Sequence, residues 1–349
     1  MIDAATRTSI ERLIPRLDYF RRPPSRIGGE VGFKEWMHFC VYGEELDLLV
    51  NFSEVDDLRK GAAGRSRARL TVLARRDRWI GGVEEYGADE TEIVGGRISA
   101  RFGDNSITYV NGRYILEVRL RDLPIRADFS LEPITTPTPI HNVSVGDGPP
   151  IHWLVIPRLL ARGEVWIGGE RFALREAPAY HDHNWGYFGW GRDFAWEWGF
   201  GLPAEASDPW SFVFARLSDR GRNRTRMQTL FLWRGAHVHS AFRDAQILVE
   251  RVGLLRPERV LKVPPIMGLL RPGTATDVPA TMILRARSAD DEVIVRFKPA
   301  DVAQVIIPND ADLGVTIIQE VAGQLALDAL VSGERVSLRC PTIFEFLSD

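Results

Sequence analysis

The chain has 349 residues, a net charge near −3, 45% hydrophobic and 26% charged residues, and two cysteines. That length exceeds one ordinary core and predicts two domains. The charge gives no electrostatic basis for binding nucleic acid, and Cys40 and Cys340 make neither a disulfide framework nor a cysteine-based zinc site. No signal-peptide pattern opens the sequence and no run of about eighteen apolar residues occurs in it. A cytoplasmic protein without an integral membrane span is therefore expected, with peripheral membrane contact left open.

Residues 6–17 place Ile10, Leu13, Ile14 and Leu17 at helical spacing behind Thr8 and Ser9. A short leading helix is expected there, started or interrupted by Pro15, with little helix afterwards. From residue 31 the period changes to two, as in Leu46-Asp-Leu, Val50-Asn-Phe, Ile98–Phe102, Tyr114–Leu120 and Ile125–Leu131. Gly81-Gly82, Gly95-Gly96, Gly103-Asp-Asn-Ser and Asn111-Gly112 read as the turns between these strands, Asn-Gly being the strongest hairpin signal. The arginine-rich runs 65–69 and 220–226 read as solvated hairpin tips. The proline-rich stretch 133–150 reads as a long crossing loop within the first domain, because strand patterning resumes at His152 and continues through a Gly168-Gly169 hairpin to Leu174. A second strand series runs from Phe194 through Ser211–Ala215, Thr229–Trp233, Ala280–Leu284, Val293–Val295 and Leu325–Leu327 to Ile343–Phe346. Residues 253–279 interrupt it as a lid or surface loop. The pattern is that of antiparallel meanders or barrels, without a strand–helix–strand rhythm, and no glycine-rich phosphate loop is present.

One stretch stands apart. Residues 180–200 hold nine aromatics where a 10% average gives about two, together with His181, Asp182, His183, Asp193 and Glu197. Ionisable groups inside an aromatic wall are costly unless paired, and such surroundings shift pKa values. In an extended strand His181 and His183 face one way and Asp182 the other. Three readings stand side by side: acid/base or polar lining of a pocket, a His-x-His metal site, or polar groups bracing a core. The metal reading lacks a third ligand at a familiar spacing, even counting His237-Val-His239, which reads as an ordinary strand face. Trp185, Trp190, Trp196 and Trp198 would line a pocket able to stabilise positive charge, or fill a core. Asp182 and Glu197 are the acids nearest to this wall. No nucleophile elbow occurs.

Tyr180-His-Asp-His-Asn-Trp-Gly186 resembles the signature of the carotenoid 1,2-hydratase/hydroxyneurosporene synthase-like family, also called AttH-like. Lys34-Glu-Trp-Met-His-Phe39, Trp153–Pro157, Gly163–Gly169 and Trp196-Glu-Trp-Gly199 follow in the same order, so the resemblance spans roughly residues 30–200. It implies two tandem lipocalin-like antiparallel β-barrels with a short N-terminal helix, divided as 1–190 and 191–349. It further implies a cofactor-independent enzyme, such as a hydratase, isomerase or cyclase. The substrate would be a large hydrophobic isoprenoid, polyene or polyketide-derived molecule, bound in an aromatic pocket between the domains. On this reading His181, Asp182, His183 and Glu197 supply catalysis, while Trp36, Tyr180, Asn184, Trp185, Trp190, Trp196 and Trp198 contact substrate. No metal or cofactor is expected. One departure stands out: the family's Tyr-x-Asp strand, whose Asp donates the proton, corresponds here to Trp210-Ser-Phe-Val-Phe-Ala-Arg216, which has no carboxylate. A carrier that binds such a ligand without converting it is the rival reading.

Overall fold

The computed structural model describes residues 2–21, 32–56, 66–144, 150–203, 205, 207–310 and 312–348. It divides into two units, Met1–Gly189 and Trp190–Asp349.

Unit 1 opens with helix α1 (Ala4–Leu17), capped by Asp3, whose carboxylate accepts the Thr6 backbone N–H at 2.8 Å. The cap thus lies ahead of Thr8 and Ser9, and Pro15 sits in the last turn without stopping the helix. Twelve strands follow: β1 (Phe33–Tyr42), β2 (Asp47–Asp56), β3 (Ser66–Arg75), β4 (Trp79–Tyr86), β5 (Thr91–Ile93) and β6 (Ser99–Phe102). Then come β7 (Asn105–Val110), β8 (Arg113–Arg119), β9 (Ile125–Pro133), β10 (Thr138–Ser144), β11 (Pro150–Ile167) and β12 (Glu170–Tyr187). They form one antiparallel sheet in the order β4-β3-β2-β1-β12-β11-β9-β8-β7-β6-β5, with β10 beside β11, curled into a nearly closed barrel. Alternation explains its filling. Met37, Phe39 and Val41 of β1 join Phe52, Leu70, Phe102, Tyr114, Leu116 and Phe129 in one core, into which α1 inserts Ile10 and Ile14.

Local expectations fail at three places in this unit. Gly81 and Gly82 lie inside β4 instead of in a turn. A Cβ on Gly81, whose φ is +143°, would meet the Val72 carbonyl oxygen at 2.1 Å, so glycine here permits close strand approach. The proline-rich stretch contains strand β10, and its residues 145–149 lie outside the described residues. Arg69 belongs to β3 and pairs with Glu85 at 2.6 Å, although Arg65 is outside the described residues. The Asn111-Gly112 hairpin forms as expected, both residues having positive φ (51° and 77°).

Unit 2 contains β13 (Ala195–Gly201), β14 (Trp210–Ser218), β15 (Thr225–Arg234), β16 (His237–Arg243), β17 (Ile247–Val252) and β18 (Leu261–Val263). The short helix α2 (Ile266–Leu270) precedes β19 (Thr281–Arg287), β20 (Glu292–Pro308), β21 (Val315–Val331) and β22 (Glu334–Ser348). Their order is β16-β15-β14-β13-β22-β21-β20-β19-β17, with β18 parallel to β20. Phe212, Phe214, Leu230, Phe297, Val321, Phe344 and Phe346 fill its core. The chain is thus all-β, two lipocalin-like units in tandem behind one N-terminal helix. Cys40 and Cys340 are both buried, and neither is in a disulfide. Among the described residues no helix is long and apolar enough to cross a membrane.

Candidate functional site

Strand period places the signature on two faces of β12. His181, His183 and Trp185 lie opposite Phe39, Met37 and Glu35 of β1, on the face that carries the barrel core. Both histidines have zero solvent exposure. His181 stacks on Phe39 with ring centroids 4.1 Å apart. The polar partners come from elsewhere in the chain. Asp18, at the C-terminal end of α1, is also fully buried and places Oδ2 2.9 Å from His181 Nε2 and Oδ1 2.6 Å from His183 Nδ1. Tyr114 donates its hydroxyl to the same Asp18 Oδ2. On its other side His183 Nε2 lies 3.0 Å from Glu35 Oε1.

Both ring nitrogens of His183 therefore face carboxylate oxygens, a geometry satisfied only when both carry a proton. Burial alone would lower the His183 pKa; the hydrogen bonds and charges of Asp18 and Glu35 outweigh it and raise the pKa above 6.5. Burial alone would likewise raise the Asp18 pKa, but the charges and hydrogen bonds of His181 and His183 hold it well below the ordinary carboxylate value. Burial and the Asp18 charge raise the Tyr114 pKa well above 10, which keeps its hydroxyl a donor. His181 Nδ1 faces the His38 carbonyl at 2.9 Å. Burial, with the nearby His181, lowers the His38 pKa to about 3, so that ring is neutral.

Above this cluster lies a cationic and aromatic stack. The Arg21 backbone N–H donates to both Glu35 oxygens at 3.0 Å, and its side chain donates to the carbonyls of Tyr19 and Leu17 at 2.6 and 2.7 Å. A cation at the Leu17 carbonyl, the last of α1, complements the helix dipole. Its guanidinium lies 3.3 Å from the Trp185 ring centroid. Arg21 Nη1 and His183 Nδ1 are 3.3 Å apart, but both are donors, so this is proximity and not a hydrogen bond. His152 stacks parallel to Trp185, with centroids 5.2 Å apart. Trp185 and His152 are each half-buried, whereas the histidine–carboxylate cluster is sealed.

The other predicted residues lie elsewhere. Asp182 and Asn184 occupy the opposite face of β12, buried, with the Asn184 amide donating to Asp182 at 2.6 Å. Tyr180 shares that face and is buried. Trp36 of β1 packs edge-on against Phe188. Glu197, Trp190, Trp196 and Trp198 all belong to unit 2. Glu197 is buried and ion-paired with Arg216 at 2.9 Å, Arg222 at 3.4 Å and Arg251. Arg222, expected at a solvated tip, is thus turned inward, its side chain 14% exposed. Trp190 packs on Phe194 and Trp196.

Unit 2 also contains an acid that sequence reading missed. Glu345 of β22 lies between Trp198 of β13 and Glu320 of β21 in strand register, and the Trp196 indole N–H donates to its carboxylate. Burial pushes the Glu345 pKa up to about 7, against the opposing hydrogen bonds of Glu320 and Trp196. Asp18, Arg21 and Tyr114 were missed in the same way. Asp18 lies 163 residues from His181 in sequence, and nothing in the local pattern marks it. Glu35 was visible only as part of the early Glu-Trp motif. A separate cleft of about 370 Å³ beside α1 is lined by Arg7, Glu11, Arg113 and Glu132, none of them in the histidine cluster.

Fold and site together define a tandem lipocalin-like protein with an ionic cluster sealed inside its first barrel. No family model matches the chain, and no curated protein matches it in sequence. Solved structures do match. A protein assigned as AttH from Nitrosomonas europaea has TM-score 0.63 and 12% identity, covering 95% of this chain and 97% of that one. CghA, crystallised with Sch210972, gives 0.59 and 11%, covering 91% and 88%. Kievitone hydratase from Nectria haematococca gives 0.55 and 12%, covering 95% and 96%. The AttH-like resemblance read from the signature is borne out at the level of fold, over nearly the whole chain.

Proposed function

We propose that the protein is a cofactor-independent enzyme that transfers a proton to or from a C=C bond of a large hydrophobic molecule of isoprenoid, polyene or polyketide origin. Acid-catalysed hydration, double-bond isomerisation and cationic cyclisation all begin with protonation of a C=C bond. The observation that carries the reading is the sealed cluster of Asp18, His181, His183 and Glu35 beneath the half-buried Trp185. Well-packed apolar side chains would stabilise a barrel core as well or better than buried charges, so core stability does not account for the cluster. Holding Trp185 and Arg21 in place does. His183 has both N–H groups committed and acts as a positioning residue, with Trp185 as the substrate contact. Unit 2, taken by itself, carries an acid/base candidate that the strand Trp210–Arg216 lacks: Glu345, a carboxylic acid whose pKa burial pushes up to about 7 beside Trp196 and Trp198, whose π faces favour developing positive charge. The name of kievitone hydratase, on the same fold, is consistent with an enzyme of this class.

The test is turnover in D2O with an acyclic carotenoid and a prenylated phenol, followed by mass spectrometry. The wild type forms a product with deuterium on carbon. Glu345→Gln lowers the rate by a factor on the order of 10² to 10⁴, and His183→Gln lowers it with a folded barrel. Full activity in both folded variants sinks the assignment. The carrier reading draws support from the complete burial of both histidines; it predicts that ligand is recovered unchanged and free of deuterium.

A further inference from the structure

The sequence places residues 253–279 outside the regular strand series, and the structure gives this region a distinctive surface. Ten large hydrophobic residues are exposed among the described residues, and six of them, Leu248, Val252, Leu254, Ile266, Leu269 and Leu270, fall between positions 248 and 270. Scattered single exposures are ordinary, but such concentration in one segment is not. Leu269 and Leu270 are the extreme case, 79% and 67% exposed on the five-residue helix α2, with Ile266 at 53%. Helix α2 rests on β18, and the Lys262 ammonium donates to the Arg271 carbonyl, tying together the two ends of the projection that carries these side chains. Leu248 and Val252 lie on β17, the edge strand of the sheet.

Charge indicates the occupant. Residues 254–273 contain Arg256, Arg259, Lys262 and Arg271 against the single acid Glu258, a local balance of +3 in a chain whose total is −3. Exposed aliphatics in a segment of net positive charge match an anionic phospholipid surface, where the aliphatics enter the acyl boundary and the cations meet phosphates. A second copy of this chain is a poorer match, since the same cations would face one another across a symmetric contact.

We propose that the segment 248–273, with α2 at its tip, docks the protein peripherally on an anionic lipid bilayer. The proposal goes beyond the enzymatic reading and does not depend on it. If both hold, the surface brings the enzyme to the phase in which a large apolar substrate dissolves.

The experiment is sedimentation of the full chain with vesicles of phosphatidylcholine alone, or with about one-third phosphatidylglycerol. The expected result is binding to the mixed vesicles at least about tenfold tighter than to the neutral ones, weakening as salt is raised. Leu269→Asp together with Leu270→Asp, at exposed positions where folding is undisturbed, lowers that binding about tenfold or more. Arg256→Glu with Arg259→Glu removes the preference for anionic lipid. Wild-type protein that binds neither vesicle, or a leucine double variant that binds like wild type, overturns the proposal. So does a concentration-dependent dimer, abolished by the leucine variant, in a protein that ignores vesicles. None of these outcomes depends on turnover, so failure here is distinct from failure of the enzymatic reading.

Discussion

Replacing Asp18 with Asn tests the ionic cluster at its centre. In the wild type the Asp18 carboxylate accepts from His181 at 2.9 Å, from His183 at 2.6 Å and from Tyr114, with no solvent exposure. Asparagine keeps the shape but removes the charge and turns one acceptor into an NH2 donor, which must then face an imidazole N–H or the Tyr114 hydroxyl. The imidazolium at His183 keeps only Glu35 as its anion. Removing one partner of a buried, hydrogen-bonded ion pair costs roughly 3–5 kcal/mol. For a unit of this size that corresponds to a fall in Tm on the order of 10 °C. The assay is urea and thermal unfolding followed by circular dichroism. Hydrogen exchange of β1 and β12 amides then assigns the loss to unit 1, because two units need not unfold together. A coupling measurement sharpens it: Asp18→Asn in a His183→Gln background costs less than in the wild type, since the charge it would strand is already gone. A loss below about 1 kcal/mol, the value of an exposed pair, or strict additivity with His183→Gln, would refute the argument that the cluster is a charged, mutually dependent unit.

Further outcomes follow from the same geometry. The lowered pKa of Asp18 contributes stability above its ordinary value near 3.8 that is lost as pH falls below it; the raised pKa of His183 contributes stability fully present below 6.5 that is lost as pH rises through the folded value. Unfolding free energy of unit 1 therefore declines on the alkaline side above pH 6.5, and His183→Gln flattens that limb in urea titrations across pH. Tyr114→Phe leaves the ring packed and deletes one hydrogen bond to a buried carboxylate, a loss of about 1.5–3 kcal/mol in chemical denaturation. Glu197→Gln leaves Arg216, Arg222 and Arg251 without their shared carboxylate and destabilises unit 2 by roughly 3–5 kcal/mol, while amide exchange in β1 and β12 is unchanged.

How much of this was legible in sequence depends on the range of the interactions. Strand alternation and the Asn111-Gly112 turn are local, and they placed the sheets; period two alone put His181 and His183 on one face and Asp182 on the other. The signature identified the fold across both units although its motifs span only about half the chain. What stayed hidden was the partner of each charge. Asp18 reaches the histidines because α1 enters the barrel, a fact of closure with no local mark. Arg222 read as a solvated tip because its neighbours in sequence are polar, yet Glu197, on the adjacent strand β13, draws it inward. Gly81-Gly82 carried a turn composition but lies in mid-strand, where the backbone beside Gly81 leaves no space for a Cβ. Glu345 was passed over for Glu197, since only strand register sets it beside Trp198.

The most direct test of the central claim is the fate of a bound molecule. Protein purified from its own host is taken through native mass spectrometry and solvent extraction, and the extracted compound is then incubated with fresh enzyme in D2O. The account predicts an apolar molecule of isoprenoid, polyene or polyketide type, and a product bearing deuterium on carbon that fails to form with Glu345→Gln. Recovery of that molecule unchanged and unlabelled, after incubation with a folded and ligand-competent protein, would contradict it and leave a binding protein in its place.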